Sequence, residues 1–419
     1  PNELTSYVSD NLRGDPGTTC VLKLERPTAD STYIPMELKI TRGTIRTNPV
    51  PYYGMVDKNI GYIAISTFAI EGCCKDIKKA LIELKHQGHT SIVLDLRGNG
   101  GGLLSEAVNV VNFFVPKGKE IVVTKGKIKQ AGSTYKTSNE PIDMEIPLTV
   151  LVDGATASAA EIVSGSLQDL DRAVIVGNRT YGKGLVQVPR ELPYNSSMKV
   201  TTAKYYIPSG RCIQAIDYAK RNADGSVARI PDSLTTVFHT AAGREVRDGG
   251  GIRPDVEVKA ERFPNIMFYL LNDDMIFDYA TQYCIKHPNI GEVKDFSVTD
   301  ADYDDFKQML KKRNFTYDRQ SEKSLKNLKE IAEFEGYMEG ASEEFAALEK
   351  KLTHNLDHEL NRFSKQIRKA IAEEIVKRHY FQRGVILERM KDDADLTKAI
   401  ETLKDKEGYT KILSVPADK

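Results

Sequence analysis

The chain is poor in several features that would assign a protein to a class at a glance. Its five cysteines (Cys20, Cys73, Cys74, Cys212, Cys284) form no C-x-x-C and no even-numbered framework, which argues against a disulfide scaffold or a zinc site. An adjacent pair such as Cys73–Cys74 rarely bridges, so the cysteines read mostly as buried apolar side chains and leave the compartment open. Neither sign of charge is in excess, with 59 Lys+Arg against 59 Asp+Glu. No global field therefore draws the chain to nucleic acid or to an anionic membrane. No apolar run approaches the roughly 20 residues of a membrane-spanning helix, and the first residues lack the basic-then-apolar pattern of a signal peptide. The chain starts at Pro1 without Met, so a processed or excised piece is expected, with any targeting segment lost.

What is present describes a globular chain of two or three domains. It has 419 residues, 40% of them hydrophobic and 28% charged, enough apolar surface to build real cores. Composition shifts near residue 300. From Ala301 to Lys419, 48 of 119 residues are charged, against 70 of 300 before that point. In this tail apolar residues recur at helical spacing, as in Leu325, Leu328, Ile331 and Phe334, then Phe345, Leu348, Leu352 and Leu356. Its only proline is Pro416, and a bundle of four or five helices is expected, serving as a packing or docking domain. His354 and His358 lie four apart, but no Glu follows the first His as H-E-x-x-H requires, so a solvated pair is expected rather than a metal site.

The first 300 residues alternate β-rich runs with helical patterns. The runs are Asn59 to Thr67, Thr90 to Leu96, Pro147 to Asp153, Ala173 to Gly177 and Met198 to Ile207. Between them, Ile77, Leu81 and Leu84 mark an amphipathic helix and Ala107 to Val115 a nearly all-apolar one. This alternation predicts an α/β core with a partly parallel sheet. Residues 1 to about 48 read as a short helix (Leu4 to Leu12), a turn and two strands (Thr18 to Glu25, Met36 to Thr41), too small to bury much of their own surface.

Three segments carry candidate chemistry. Arg97-Gly98-Asn99-Gly100-Gly101-Gly102 joins a strand to a helix. Its glycines expose backbone N–H groups suited to an anion, phosphate or oxyanion, although a tight turn alone would need one of them. Gly154 to Glu161 follows the strand PLTVLVD and opens a helix. Ser158 there is either a nucleophile at a helix N-terminus or, with Glu161, a plain capping box. Gly177 to Gly184 nearly matches a phosphate loop, but Gly184 replaces the Ser or Thr after Lys183 and a strand follows where a helix is needed. What remains is a lysine between glycines, by itself an ordinary solvated turn.

Together the segments make a catalytic pair. A hydroxyl needs a base to become a nucleophile, and lysine can be that base when desolvation makes it neutral. Only His86, His89 and His239 offer imidazoles in the core region, none in an evident catalytic loop, so Ser158 with Lys183 has the better claim.

T-A-S-A-A-E (Thr156 to Glu161) and T-Y-G-K-G-L-V-Q (Thr180 to Gln187) resemble the motifs of the carboxy-terminal processing, or tail-specific, proteases. So do D-L-R-G-N-G-G-G (Asp95 to Gly102), Y-Y-I-P-S-G-R (Tyr205 to Arg211) and G-G-G-I-R-P-D-V (Gly249 to Val256). The resemblance covers roughly residues 1 to 260. It implies Ser158 as nucleophile, Lys183 as general base and Gln187 positioning the lysine. The oxyanion hole would use the N–H of Ala159 and one from Gly101 or Gly102. It further implies an α/β fold with a core similar to Clp protease and crotonase (44–262), the C-terminal half of a PDZ-like domain (1–43) and an all-helical C-terminal domain (263–419). The expected activity is that of a serine endopeptidase cleaving proteins near accessible C-termini, with no metal or cofactor and no nucleic-acid partner. A homo-oligomer, a membrane anchor outside this chain and a periplasmic or cell-envelope location belong to the same expectation. The alternative is a catalytically silent peptide-binding scaffold.

Overall fold

A computed structural model of the chain describes residues 5–28, 32–127, 132–221, 227–259, 261, 263–352 and 355–414. The chain divides into two compact units: Arg46–Ala260 with Asp393–Lys419, and Pro1–Ile45 with Glu261–Asp392. The residues from Asp393 onward group with the first of these units.

The second unit begins with helix α1 (Thr5–Leu12) and an antiparallel pair, β1 (Thr19–Pro27) and β2 (Tyr33–Thr41), in which Thr19 faces Thr41. Arg42 ties the pair to α1 by donating to the carbonyls of Asn11 and Leu12. Most side chains of the pair are exposed, as expected of a segment too small for a core of its own.

The core unit follows. Its elements in chain order are β3 (Tyr52–Asp57), β4 (Ile60–Ala64), α2 (Cys73–His86), β5 (Ser91–Asp95), α3 (Leu104–Val111), β6 (Glu120–Gly126) and β7 (Ser133–Lys136). Then come β8 (Leu148–Val152), α4 (Ala159–Asp169), β9 (Val174–Gly177), β10 (Leu185–Leu192), β11 (Ser196–Tyr206) and the short strands β12 (Ile216–Arg221) to β16 (Val256–Glu257). Six strands form a sheet in the order β16-β9-β8-β5-β4-β3, parallel except for the β3–β4 pair. A second, antiparallel sheet runs β10-β11-β6-β7. Every residue of β4, β5, β8 and β9 is buried, which is why these strands read as unbroken apolar runs. α3 stops at Val111, four residues before the apolar run ends, and Asn112 there donates to the carbonyls of Val115 and Asn139.

The two faces of the six-stranded sheet are closed from distant parts of the chain. Ile92, Leu94, Leu148, Val150 and Val152 pack into one core with α2, α3 and α4. The alternate residues Val93, Leu151, Val174 and Val176, which point the other way, are buried as well but lie outside that core. The helix that packs on β5, β8 and β9 there is α12 (Ala394–Lys404), through a stripe that buries Leu396, Ala399 and Leu403. α13 (Lys406–Ile412) continues it, and the Tyr409 hydroxyl both accepts from the N–H of Leu148 and donates to its carbonyl. Lys404 pairs with Asp57.

The remaining helices, α5 (Asn265–Asn272), α6 (Met275–Lys286), α7 (Asp300–Lys312), α8 (Gln320–Phe334), α9 (Met338–Leu352), α10 (Leu356–Arg362) and α11 (Ser364–Met390), belong to the second unit. Their core centres on Leu270, Phe306, Leu360, Ile371 and Ile375. Seven described helices follow residue 300, not four or five. The Phe345-to-Leu356 pattern is divided between α9 and α10, where the Asn355 side chain caps α10 by accepting from the N–H of His358. In α8 only Leu325 of the periodic stripe is buried, while Phe334 is 92% exposed. His354 lies outside the described residues, and His358 is exposed beside Glu359.

Candidate active site

β5 and β8 are parallel neighbours, with Leu94 opposite Val150 and Asp95 opposite Leu151. Their carboxyl ends, where open parallel sheets place their sites, therefore deliver two turns side by side. Hydrogen bonds lock these turns together. Gly98 N–H donates to Asp153 Oδ1, Thr156 Oγ1 to the Leu96 carbonyl, and Ala157 N–H to the Asn99 carbonyl. Asn99 is fully buried, accepts from Gly101 N–H and donates to the Ile65 carbonyl. Glycine is demanded at two points. A Cβ on Gly102 (φ +150°) would sit 2.1 Å from the Phe68 backbone, and one on Gly101 (φ +93°) would sit 2.6 Å from the Ala157 carbonyl oxygen and 2.8 Å from Ala159 N.

Ser158 stands at the N-cap of α4 with φ 57° and ψ −118°. A non-glycine residue in that region costs about 1–3 kcal/mol and persists only where its surroundings over-determine it. The over-determination comes from Glu161, one turn into the helix. Its Oε2 accepts from the N–H of Ser158 at 2.9 Å and of Lys183 at 2.8 Å, and its Oε1 from Gly182 N–H and the Thr180 hydroxyl. Ser158 and Glu161 thus stand in a capping box, in which the Glu161 side chain serves the N-cap backbone. Burial pushes the Glu161 carboxyl up from its usual range, against the pull of the four donors.

The loop carrying Lys183 is fixed on its other side too. Gly184 N–H donates to Gln214 Oε1, Ala215 N–H to the Gly182 carbonyl, and the Tyr205 hydroxyl to the Lys183 carbonyl. Burial holds the Tyr205 hydroxyl well above its usual range, Glu161 and Cys212 add to the effect, and a hydrogen bond with the Ser158 side chain works the other way. Tyr205 therefore reaches both Ser158 and the lysine loop. The Lys183 side chain is partly buried, and its amine has no hydrogen bond or ion pair among the described residues.

Of the sequence-derived candidates, the fold brings Ser158, Ala159, Gly101, Gly102 and the backbone of Lys183 into one neighbourhood. Ala159 N–H, at the first turn of α4, and Gly102 N–H have no partner among the described residues, whereas Gly101 N–H is taken by Asn99. Gln187 lies on β10 at a register shift, exposed, and makes no side-chain hydrogen bond among the described residues. After Lys183 the chain runs into β10, not into a phosphate-loop helix. Sequence reasoning missed Asn99, Thr180, Tyr205 and Gln214 as partners of the site, although the first three stand inside the quoted motifs. No disulfide joins the five cysteines. Burial pushes the Cys73 thiol up to about 12 and the Cys74 thiol to about 11, the opposite of what a thiolate nucleophile needs.

Comparison with known proteins gives this arrangement a context. Residues 59–220 match the model of peptidase family S41, and residues 266–403 match that of the probable PDZ-protease C-terminal helical domain. A carboxy-terminal-processing protease of Bartonella bacilliformis is 38% identical over 213 residues, 49% of this chain and 47% of that protein. A carboxyl-terminal-processing protease of Picosynechococcus sp. is 39% identical over 200 residues, 47% of this chain and 46% of its own. The chain thus spans about half the length of the curated relatives it matches. Among solved structures, the photosystem II D1 C-terminal processing protease is 30% identical, with a TM-score of 0.40 over 62% of this chain and 60% of that one. With the S41 peptidase domain and the PDZ-protease helical domain matched in order along one chain, this protein is similar to the carboxy-terminal processing proteases.

Proposed function

We propose that the chain is a serine endopeptidase that cleaves protein substrates near their C-termini through a Ser158–Lys183 dyad. The observation that carries this reading is the single Glu161 oxygen shared by the N–H groups of Ser158 and Lys183. It holds the strained serine and the lysine loop on one buried carboxylate. In the first half-reaction the Lys183 amine takes the Ser158 proton as Oγ bonds to the substrate carbonyl carbon and the carbonyl electrons move onto oxygen. The unpaired N–H groups of Ala159 and Gly102 are suited to receive that oxyanion, a narrower choice than Gly101 or Gly102. Collapse breaks the C–N bond, and Lys183 returns the proton to the leaving amine. Water, deprotonated by Lys183, then attacks the acyl carbonyl, the C–O bond to Ser158 Oγ breaks, and Lys183 returns the proton to Oγ as the acid product leaves. Gln187 would swing from its exposed place on β10 to steady Lys183 when substrate is bound.

α1 with the β1–β2 pair is consistent with residues 1–43 being the closing half of a PDZ-like domain, ahead of a protease core at 44–262 and helices at 263–419. Substrates are proteins or peptides with accessible C-termini, and a periplasmic or cell-envelope location, homo-oligomerisation and an anchor outside this chain follow the family resemblance. Among the described residues no helix is long and apolar enough to cross a membrane. No observation favours a silent scaffold. The deciding experiment is mass spectrometry of fragments released from an unfolded protein by this chain and by Ser158→Ala. New C-terminal-region fragments from the parent alone are expected, and equal fragments from both would reject the nucleophile.

A further inference from the structure

The glycine turn is anchored by a residue to which the mechanism above gives no task. Arg97, immediately before it, is 21% exposed and donates to both carboxylate oxygens of Asp95, to both of Asp393 and to Asp395 Oδ2. Asp95 ends β5, where its Oδ1 also accepts from the Arg97 backbone and its Oδ2 from the buried Tyr62 hydroxyl. Asp393 is the N-cap of α12, accepting from Leu396 N–H, and Asp395 stands in the first turn of that helix. One guanidinium thus faces three carboxylates, two of them contributed some 300 positions downstream.

From this we infer that Asp393 and Asp395 are positioning residues for the oxyanion-binding turn, acting through Arg97, so that the last helices complete the active site as well as the sheet. The path is short and made of bonded neighbours. Asp393 and Asp395 hold Arg97, whose backbone leads directly into Gly98, pinned to Asp153, and Asn99, whose carbonyl holds Ala157 beside Ser158. A turn released at Arg97 shifts the Gly102 N–H relative to that of Ala159, and displacements of about 1 Å in such donors can cost on the order of 100-fold in rate. The charge imbalance makes a sharper statement. Without the guanidinium the three carboxylates repel, so its loss should cost more than loss of the aspartates.

This inference rests on the Ser158 reading. The experiment measures kcat and KM of the full chain on a fluorogenic unfolded protein, with Ser158→Ala alongside. Asp393→Asn/Asp395→Asn should lose roughly 10-fold or more in kcat with KM within about twofold. Arg97→Gln should lose more, and adding Asp393→Asn/Asp395→Asn to it should cause no further loss and restore part of kcat. Independent, additive losses, unchanged kcat in the aspartate variant, or a fall confined to KM each overturn the proposal. Should a variant fail to fold, hydrogen exchange of residues 97–102 in single Asp393→Asn supplies the test. Faster exchange there than in the parent is expected, and equal rates overturn it. Turnover that survives Ser158→Ala defeats the dyad and this inference together. A dead Ser158→Ala with fully active aspartate variants defeats this inference alone.

Discussion

Ser158, the N-cap of α4, and Lys183, in the loop before β10, donate their backbone N–H groups to the same oxygen atom of Glu161. That atom makes the helix N-terminus and the lysine loop a single object, so disturbance at one end is felt at the other.

Replacing the carboxylate by an amide tests the coupling. In Glu161→Gln one acceptor oxygen becomes an NH2 group facing N–H donors, leaving buried groups unpaired at about 1–3 kcal/mol each. Unfolding should move down by roughly 2–4 kcal/mol and turnover by 10-fold or more. The sign with pH also follows. Because burial raises this carboxyl, its favourable contribution is complete below the unfolded carboxyl value and is lost as pH rises through the folded one. The stability advantage of the parent over Glu161→Gln should therefore shrink between acid and neutral pH. An advantage that grows would contradict it.

If Lys183 takes the Ser158 proton, Lys183→Ala should lower turnover by on the order of 1,000-fold, with folding judged by circular dichroism intact. An active Lys183→Ala would remove lysine from the mechanism.

Asn99→Ala removes the partner of Gly101 N–H and of the Ile65 carbonyl. Two buried groups left unpaired should cost roughly 2–5 kcal/mol in urea unfolding, and turnover should fall with little change in KM. If only KM moved, the turn would be a substrate contact and not part of the oxyanion site.

At the far end of α4, Asp169 meets Arg211 at 2.8 Å, both about 1% exposed, with Gln168 accepting from the same guanidinium. Arg211→Met strands a buried carboxylate and should cost about 3–5 kcal/mol. Arg211→Met/Asp169→Leu should cost less than that, since no charge is left behind. Thermal unfolding of the two variants and the parent decides, and a double variant weaker than the single would refute the argument.

The core was legible because its physics is local. Unbroken apolar runs such as TSIVLDL and PLTVLVD can only be doubly covered strands, and the glycines and small residues after them had to be turns. Ser158 and Lys183 could be singled out for the same reason. What could not be read was long-range. Glu161 looks like a cap in sequence because its second task, holding Gly182 and Lys183, needs the fold. Asp393 and Asp395 are two acids in a segment where 48 of 119 residues are charged, and nothing marks them before Arg97 is placed beside them. Leu328, Ile331 and Phe334 keep helical spacing without being buried, because periodicity names a face and not what covers it.

The hydroxyl of Tyr409 clasps the amide of Leu148 from both sides. During synthesis the strand that bears Leu148 emerges long before α12 and α13 exist. At roughly 5–20 residues per second, the nascent sheet waits tens of seconds with an oily underside open to the crowd around it. Synthesis and closure are thereby ordered in time: the sheet needs shelter until the two helices that cover it have been made.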